Sequence, residues 1–343
     1  MRAAVFTRPG LVELTDLPTP SAGPGEILLK VEAATLCGTD LRIRSGAKSA
    51  GVVPGTVMGH EIAGRIEQVG DGVDGYDVGA QATVSIVVAC DHCPQCLAGL
   101  EHLCDNLRLF GYAINGGFAE YVLAPADVVR RGNVVQCSRE LPPTHLALAE
   151  PLSCCLNSYR QYRVEPGDTV VVLGAGPIGL LHLTLAKLGG ARNIVVTNRS
   201  SGRRAVAQRL GATHVVEPDG VQAAVDDATG GRGADVVIVC IGASELADVA
   251  LQLARPGGRV SYFAGFPKGS TAEVEVNLIH YKELHVTGGS NARREDVVRA
   301  VSILESGAID ADAIVTHTFP LEQIDDAYQA VEDKLGVKIA VVP

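Results

Sequence analysis

Up to about residue 150 the apolar positions fall in short runs broken by Gly and Pro, such as "EILLKVEAATL", "GRIEQVG", "AQATVSIVVAC" and "FAEYVLAP". Runs of this length and β-branched content predict a twisted all-β body. From about residue 165 the rhythm changes. "DTVVVLG" reads as a buried strand and "GPIGLLHLTLAKLGG" as an apolar helix. "NIVVTN" (strand), "GRRAVAQRLGA" (helix), "HVV" and "ADVVIVCIG" (strands) come next along the chain. "ELADVALQLARPGG" reads as a helix, and "RVSYFAG" and "ELHVTGG" as strands. Alternation at this spacing predicts βαβ units in a doubly wound parallel sheet, so the fold class is α/β. The last stretch carries two helical patterns, "REDVVRAVSILESG" and "LEQIDDAYQAVED", and ends in the strand "KIAVVP", which is expected to return to the first domain.

Composition narrows the class. A chain of 343 residues, 47% of them hydrophobic, can build two cored domains. A net charge of −10 argues against a protein that tracks nucleic-acid phosphates. No apolar run approaches a bilayer span, and "MRAAVFTRPG" lacks the apolar core of a signal peptide. A cytoplasmic protein with no membrane or nucleic-acid partner is expected. Nine cysteines without an export signal read better as metal ligands than as disulfides.

"CDHCPQCLAGLEHLC" spaces Cys90, Cys93, Cys96 and Cys104 as C-x2-C-x2-C-x7-C. Four thiolates satisfy a closed tetrahedral zinc of structural type. An iron–sulfur cluster is the rival, but nothing else in the chain suggests electron transfer. A second site is suggested by "LCGTD" (Cys37, Thr39, Asp40), "GHEIAG" (His60, Glu61) and "AEPL" (Glu150). Cys, His and carboxylate can hold zinc with one position open. Taken singly, Cys37 reads equally as a core thiol, His60 as a buried histidine and Glu150 as a surface charge. Cys154 and Cys155 are expected to start an inter-domain helix as small buried side chains.

"VVVLGAGPIGLL" holds Gly174, Gly176 and Gly179 in G-x-G-x-x-G spacing, between a Val-rich strand and an apolar helix. That context predicts a dinucleotide loop lined by Gly174, Gly176, Pro177, Ile178 and Gly179. The acid that reads an NAD ribose belongs about 20 residues on. Nineteen residues past Gly179 stands Asn198, with Arg199 and Ser200 next to it. Losing the carboxylate removes repulsion of a 2′-phosphate, and Arg199, Ser200 and Arg203 can meet one, with Arg204 adding positive potential. NADP is the favoured cofactor, and NAD stays open.

With these residues in hand, the whole chain resembles the zinc-dependent medium-chain alcohol and polyol dehydrogenases. "GHEIAGRIEQVGDGV", with Gly59, His60, Glu61, Gly64, Gly70 and Val73 in register, is similar to that family's zinc signature, and the cysteine lobe and "GAGPIG" succeed it in order. The resemblance implies a GroES-like β-rich catalytic domain (1–152 and 289–343) and a Rossmann domain (153–288), with the active site in the cleft between them. Glu150 in "EPL" resembles the sorbitol, threonine and cyclitol branch, and "NRS" the Arg-bearing loop of NADP users. Where many relatives carry a histidine five residues past the zinc cysteine, this chain has Arg42; that weakens a threonine reading, and Arg42 and Arg44 are taken as solvated rather than phosphate-binding. The expected activity is hydride transfer between a secondary alcohol, of polyol, cyclitol or sugar-alcohol type, and the cofactor. Two zincs per chain are implied: a catalytic one on Cys37, His60 and Glu61 or Glu150, and the four-cysteine one. Thr39 is placed to relay the hydroxyl proton, Asp40 to orient His60, and domain closure to exclude water. A homodimer or homotetramer is expected. The alternatives are an NAD-dependent threonine or sugar-phosphate dehydrogenase, a zinc-free quinone or enone reductase, and a non-catalytic nucleotide- and zinc-binding protein. Phe110, Asn115 and Asn291 are candidates for the substrate pocket.

Overall fold

A computed structural model describes all 343 residues. The chain divides into two units, Met1–Ser153 with Asn291–Pro343, and Cys154–Ser290.

The first unit is built on a seven-stranded sheet. Its spine runs Val134–Gln136, Gln81–Val84, Glu61–Val69, Ile27–Thr35, Lys338–Val342, Val315–Pro320, with Tyr121–Ala124 also pairing Ile27–Thr35. The terminal strand Lys338–Val342 therefore lies in the same sheet as the N-terminal strands, the return to the first domain expected of it. The register brings residues from both ends of the chain side by side. Thr35 stands opposite Glu61 on one side and Ala340 on the other. Counting two residues along each strand sets Lys338 on the same face as Ala340 and across from Cys37, just past the ladder. Ile27, Leu29, Ile62, Ile66, Val84 and Phe110 fill one core, and Leu36, Met58, Phe118, Tyr328 and Ile339 another. Their burial leaves the sheet end at Thr35–Cys37 held by packing on both faces.

The second unit is a six-stranded parallel sheet in the order His214–Val216, Asn193–Thr197, Thr169–Leu173, Ala234–Val239, Ala254–Tyr262, His285–Gly288. Numbered along the chain this is 3-2-1-4-5-6, the doubly wound Rossmann order. The strand Thr169–Leu173 is wholly buried, which explains its unbroken Val run. The predicted helix "ELADVALQLARPGG" is shorter than expected. It ends at Leu253, and Ala254 already opens the next strand. Pro256 and the Gly257–Gly258 pair cannot continue a helix cheaply, and the ladder with Ala234–Val239 captures them through a register shift. Helices Val221–Thr229 and Val276–Lys282, unmarked by strong apolar periodicity, complete the crossovers.

Candidate metal and cofactor sites

Cys37 leaves the strand Ile27–Thr35 in extended conformation and caps the helix Gly38–Arg44. Asp40, fully buried in that helix, accepts the Cys37 N–H through Oδ2 at 2.8 Å, and its Oδ1 lies 3.2 Å from Nδ1 of His60. One carboxylate thus fixes the Cys37 backbone and faces one side of the imidazole. His60 comes directly after Gly59, whose φ of 87° favours glycine and whose Cβ would sit 2.7 Å from the Phe118 ring. Burial opposes a charge on His60, but Asp40, Tyr112 and hydrogen bonds to Asp40 and Cys37 outweigh it and raise its pKa. A metal on this ring must therefore displace a proton that Asp40 favours.

The donor atoms of Cys37, His60 and Glu61 lie within 4.8 Å of one another. Glu61 is not a free carboxylate. The Thr35 hydroxyl donates to Oε2, and the buried Lys338 ammonium lies 2.6 Å from Oε1 and 2.5 Å from Oε2. Burial pulls Lys338 towards neutrality, and Glu61 and Cys37 more than restore its charge, so its pKa is raised. Lys338 could not be read from the sequence because 277 positions separate it from Glu61. The one signal was a lysine heading an otherwise apolar terminal strand. Glu150 sits in the first turn of the helix Ala149–Tyr162, 8% exposed, so it is no surface charge. It stands outside the 4.8 Å group, yet its charge reaches both Lys338 and Tyr112.

The four cysteines form a second group. Cys93 Sγ lies 3.4 Å from that of Cys96 and 3.9 Å from that of Cys104, and Cys90 is 4.0 Å from Cys96. A tetrahedron of about 2.3 Å Zn–S bonds has edges of about 3.8 Å, so the sulfurs fit a closed zinc site. Backbone N–H groups of Cys90 and Asn106 donate to Cys104 Sγ, as expected of a site built for thiolates. Hydrogen bonding from the His92 backbone outweighs burial and brings the Cys90 thiol down to about 6.

In the second unit, Gly174 has φ 115°, and a Cβ on Gly179 would meet the Gly174 carbonyl at 1.8 Å. Both glycines are required for packing of the turn on its helix. A Cβ on Gly176 meets nothing within 4 Å, leaving open space where a pyrophosphate could approach. Pro177 and Ile178 open the helix Pro177–Leu188. Past the next strand, Asn198 Oδ1 accepts the Ser200 N–H at 2.9 Å, and Ser200 Oγ caps the adjoining helix through the Arg203 N–H at 3.4 Å. Arg199 is exposed, and its side chain has no protein partner. Arg203 is half-buried, which lowers its pKa.

Several expectations are corrected. Arg204 donates to the carbonyls of Asn198 and Arg199 and pairs with Glu217 at 2.9 Å, so it braces this loop instead of offering free charge. Arg42 is not simply solvated: its Nη2 donates to Thr39 Oγ1 at 3.0 Å, one helical turn back. Arg44 is held by Asp325 at 2.9 Å and the Tyr328 ring. Cys154 and Cys155 do not start a helix but lie inside Ala149–Tyr162, which begins five residues before Cys154. Phe110 is fully buried core and so no pocket side chain, whereas Asn115 is exposed and accepts the Val57 N–H through Oδ1. Asn291, with φ 53°, donates to the His102 carbonyl.

Comparison with known proteins supplies the class. Residues 23–133 match the alcohol dehydrogenase GroES-like domain, and residues 177–306 match the zinc-binding dehydrogenase family. The chain belongs to the zinc-dependent medium-chain alcohol dehydrogenase family, and is an oxidoreductase of that type, using zinc and NAD or NADP. Among its relatives is L-threonine 3-dehydrogenase of Pyrococcus horikoshii, 35% identical over 96% of this chain and 94% of that one. A zinc-binding dehydrogenase of Sinorhizobium meliloti, solved bound to NADP, is 33% identical with TM-score 0.92, over 100% of this chain and 99% of that one. The 2R,3R-butanediol dehydrogenase of Bacillus subtilis is 28% identical with TM-score 0.89, over 100% and 99%.

Proposed function

We propose that the protein oxidises, reversibly, a secondary alcohol bearing a neighbouring hydroxyl or amino group, with NADP as preferred cofactor. A polyol, cyclitol or sugar alcohol fits this description. The observation that carries the reading is the convergence of the Cys37 and His60 donor atoms within 4.8 Å on the Asp40 clamp. Zinc held there would supply a Lewis acid for the alcohol oxygen, and the nicotinamide a hydride acceptor.

The chain's own residues do the rest. Cys37 and His60 hold the metal, and Asp40 keeps the His60 ring oriented. Because Lys338 and Thr35 occupy Glu61, Glu150 supplies the remaining ligand carboxylate, and Glu61 neutralises Lys338 behind the site. Thr39 takes the hydroxyl proton. Arg42 occupies one lone pair of Thr39 Oγ1, which leaves the other to accept from the substrate while the Thr39 proton moves onward. Cys90, Cys93, Cys96 and Cys104 hold a second zinc that does no chemistry. NADP preference rests on Asn198, Arg199 and the Ser200 hydroxyl, and the NADP carried by the Sinorhizobium meliloti relative supports it.

A second reading, threonine oxidation, is favoured by the relatives of that name at 35% identity. Threonine is itself a vicinal amino alcohol, so the two readings share one reacting group. A panel of polyols, cyclitols and L-threonine, each with NAD and NADP, tests both. Reduction of either cofactor by a secondary alcohol supports the proposal, and none by any substrate at any pH would contradict it.

A further inference from the structure

The helix Gly38–Arg44 and the turn after it carry three cations near the Cys37–His60 group: Arg42, Arg44 and Lys48. Arg44 is neutralised by Asp325. Arg42 and Lys48 are not. Arg42 makes its one side-chain hydrogen bond to the neutral Thr39 hydroxyl. Lys48 Nζ is half-buried above the Tyr112 ring, 5.4 Å from its centroid, with no carboxylate partner. Tyr112 in turn packs on His60, ring centroids 5.6 Å apart. The Lys48 N–H donates to the Arg42 carbonyl at 2.9 Å, so the backbone holds the two residues together. Burial first, and then repulsion from Arg42, lowers the Lys48 pKa.

In a chain with 39 acidic and 29 basic residues, two adjacent cations without an acid stand out. Their mutual repulsion is a standing cost that an anion between them would relieve. One is anchored on Thr39, which the proposed function makes the proton acceptor, and the other on the ring that flanks His60, so both cations adjoin residues of the proposed site. Arg offers a fork to oxyanions and Lys a point charge.

We propose that Arg42 and Lys48 form an oxyanion-recognition patch, and that the preferred alcohol substrate carries a negatively charged phosphate or carboxylate group. This rests on the secondary-alcohol reading of the same site. It selects, within that reading, anionic substrates over neutral polyols.

The test compares two matched pairs: D-glucitol with its phosphate monoester, and L-threonine with 1-amino-2-propanol. The oxyanion-bearing member of at least one pair should have at least tenfold higher kcat/KM. That advantage should shrink as salt is raised, because screening weakens exposed charge pairs. Lys48→Met should remove about tenfold of it through KM, and leave D-glucitol within twofold. Arg42→Gln should weaken the same substrates, while Arg42→Lys restores part. Preference for the phosphate ester names phosphate as the source, and preference for threonine over its decarboxylated partner names carboxylate. Equal or better turnover of both members that lack the oxyanion overturns the proposal, as does an equal effect of Lys48→Met on D-glucitol and its phosphate monoester. If no alcohol turns over, the secondary-alcohol reading fails by itself. Calorimetry with inorganic phosphate and with acetate then decides the patch: binding lost in Lys48→Met sustains it, and no binding of either sinks it.

Discussion

At the scale of single residues, the ion pair behind the metal group has a measurable signature. Lys338 and Glu61 are both almost wholly buried, so removing one leaves the other charged and unpaired. Lys338→Met should cost about 3–5 kcal/mol, and adding Glu61→Gln should recover much of that. Chemical denaturation of the single and double variants measures it, and a single variant as stable as the native protein would refute the pairing. The cofactor loop offers a second test. Asn198→Asp should repel a 2′-phosphate and shift kcat/KM from NADP towards NAD by roughly ten- to a hundredfold. Arg199→Ala should raise the KM for NADP alone. A native enzyme that prefers NAD would show that Arg199 is merely solvated. Asn198 and Arg199 could be found by counting from Gly179. Arg204 could not be assigned, because its partners, two carbonyls and Glu217, exist only once the loop folds. Arg42 posed the same problem: its bond to Thr39 needs the short helix Gly38–Arg44, whose seven residues give no period to read.

At the scale of elements, the cysteine lobe and the Rossmann helices make separate claims. Cys93→Ser should release one zinc and lower the melting temperature, since a closed tetrahedral site contributes folding free energy. Unchanged zinc content and melting would dismiss that assignment. The lobe was legible because its four ligands are local in sequence. The start of the helix Ala149–Tyr162 was not, because Glu150-Pro151 resembles a break, although Pro is well tolerated in a first turn. Inside the second unit, Tyr162 from this helix meets Nδ1 of His182 at 2.8 Å, and Phe263 packs on the imidazole. Burial brings the His182 pKa from 6.5 down to about 3. The unfolded chain therefore takes up a proton first as the pH falls. The stabilisation is complete above 6.5 and is lost progressively towards 3. At about pH 5 the loss is about 2 kcal/mol. Denaturation between pH 5 and 7 should show a slope that His182→Gln reduces by about one proton. An unaltered slope would mean His182 is protonated in the fold.

At the scale of the molecule, the doubly wound parallel sheet of the second unit was legible because strands such as Thr169–Leu173 and Ala234–Val239 are buried apolar runs between turn residues, while the order 3-2-1-4-5-6 emerges only from their pairing. The first unit was legible only as a class. Its seven-stranded sheet joins strands from both ends of the chain, and no local pattern encodes that Lys338 faces Glu61. No helix is long and apolar enough to cross a membrane. The family fixes the type of chemistry. The central claim is that one zinc sits on Cys37 and His60 and another on the four cysteines. Zinc per chain, measured by elemental analysis of the purified native protein beside Cys37→Ala and Glu150→Gln, tests it most directly. The account predicts two zincs in the native protein, and one in each variant with NADP binding retained. Two zincs in Cys37→Ala, or a native protein with fewer than two after growth in ample zinc, would contradict it.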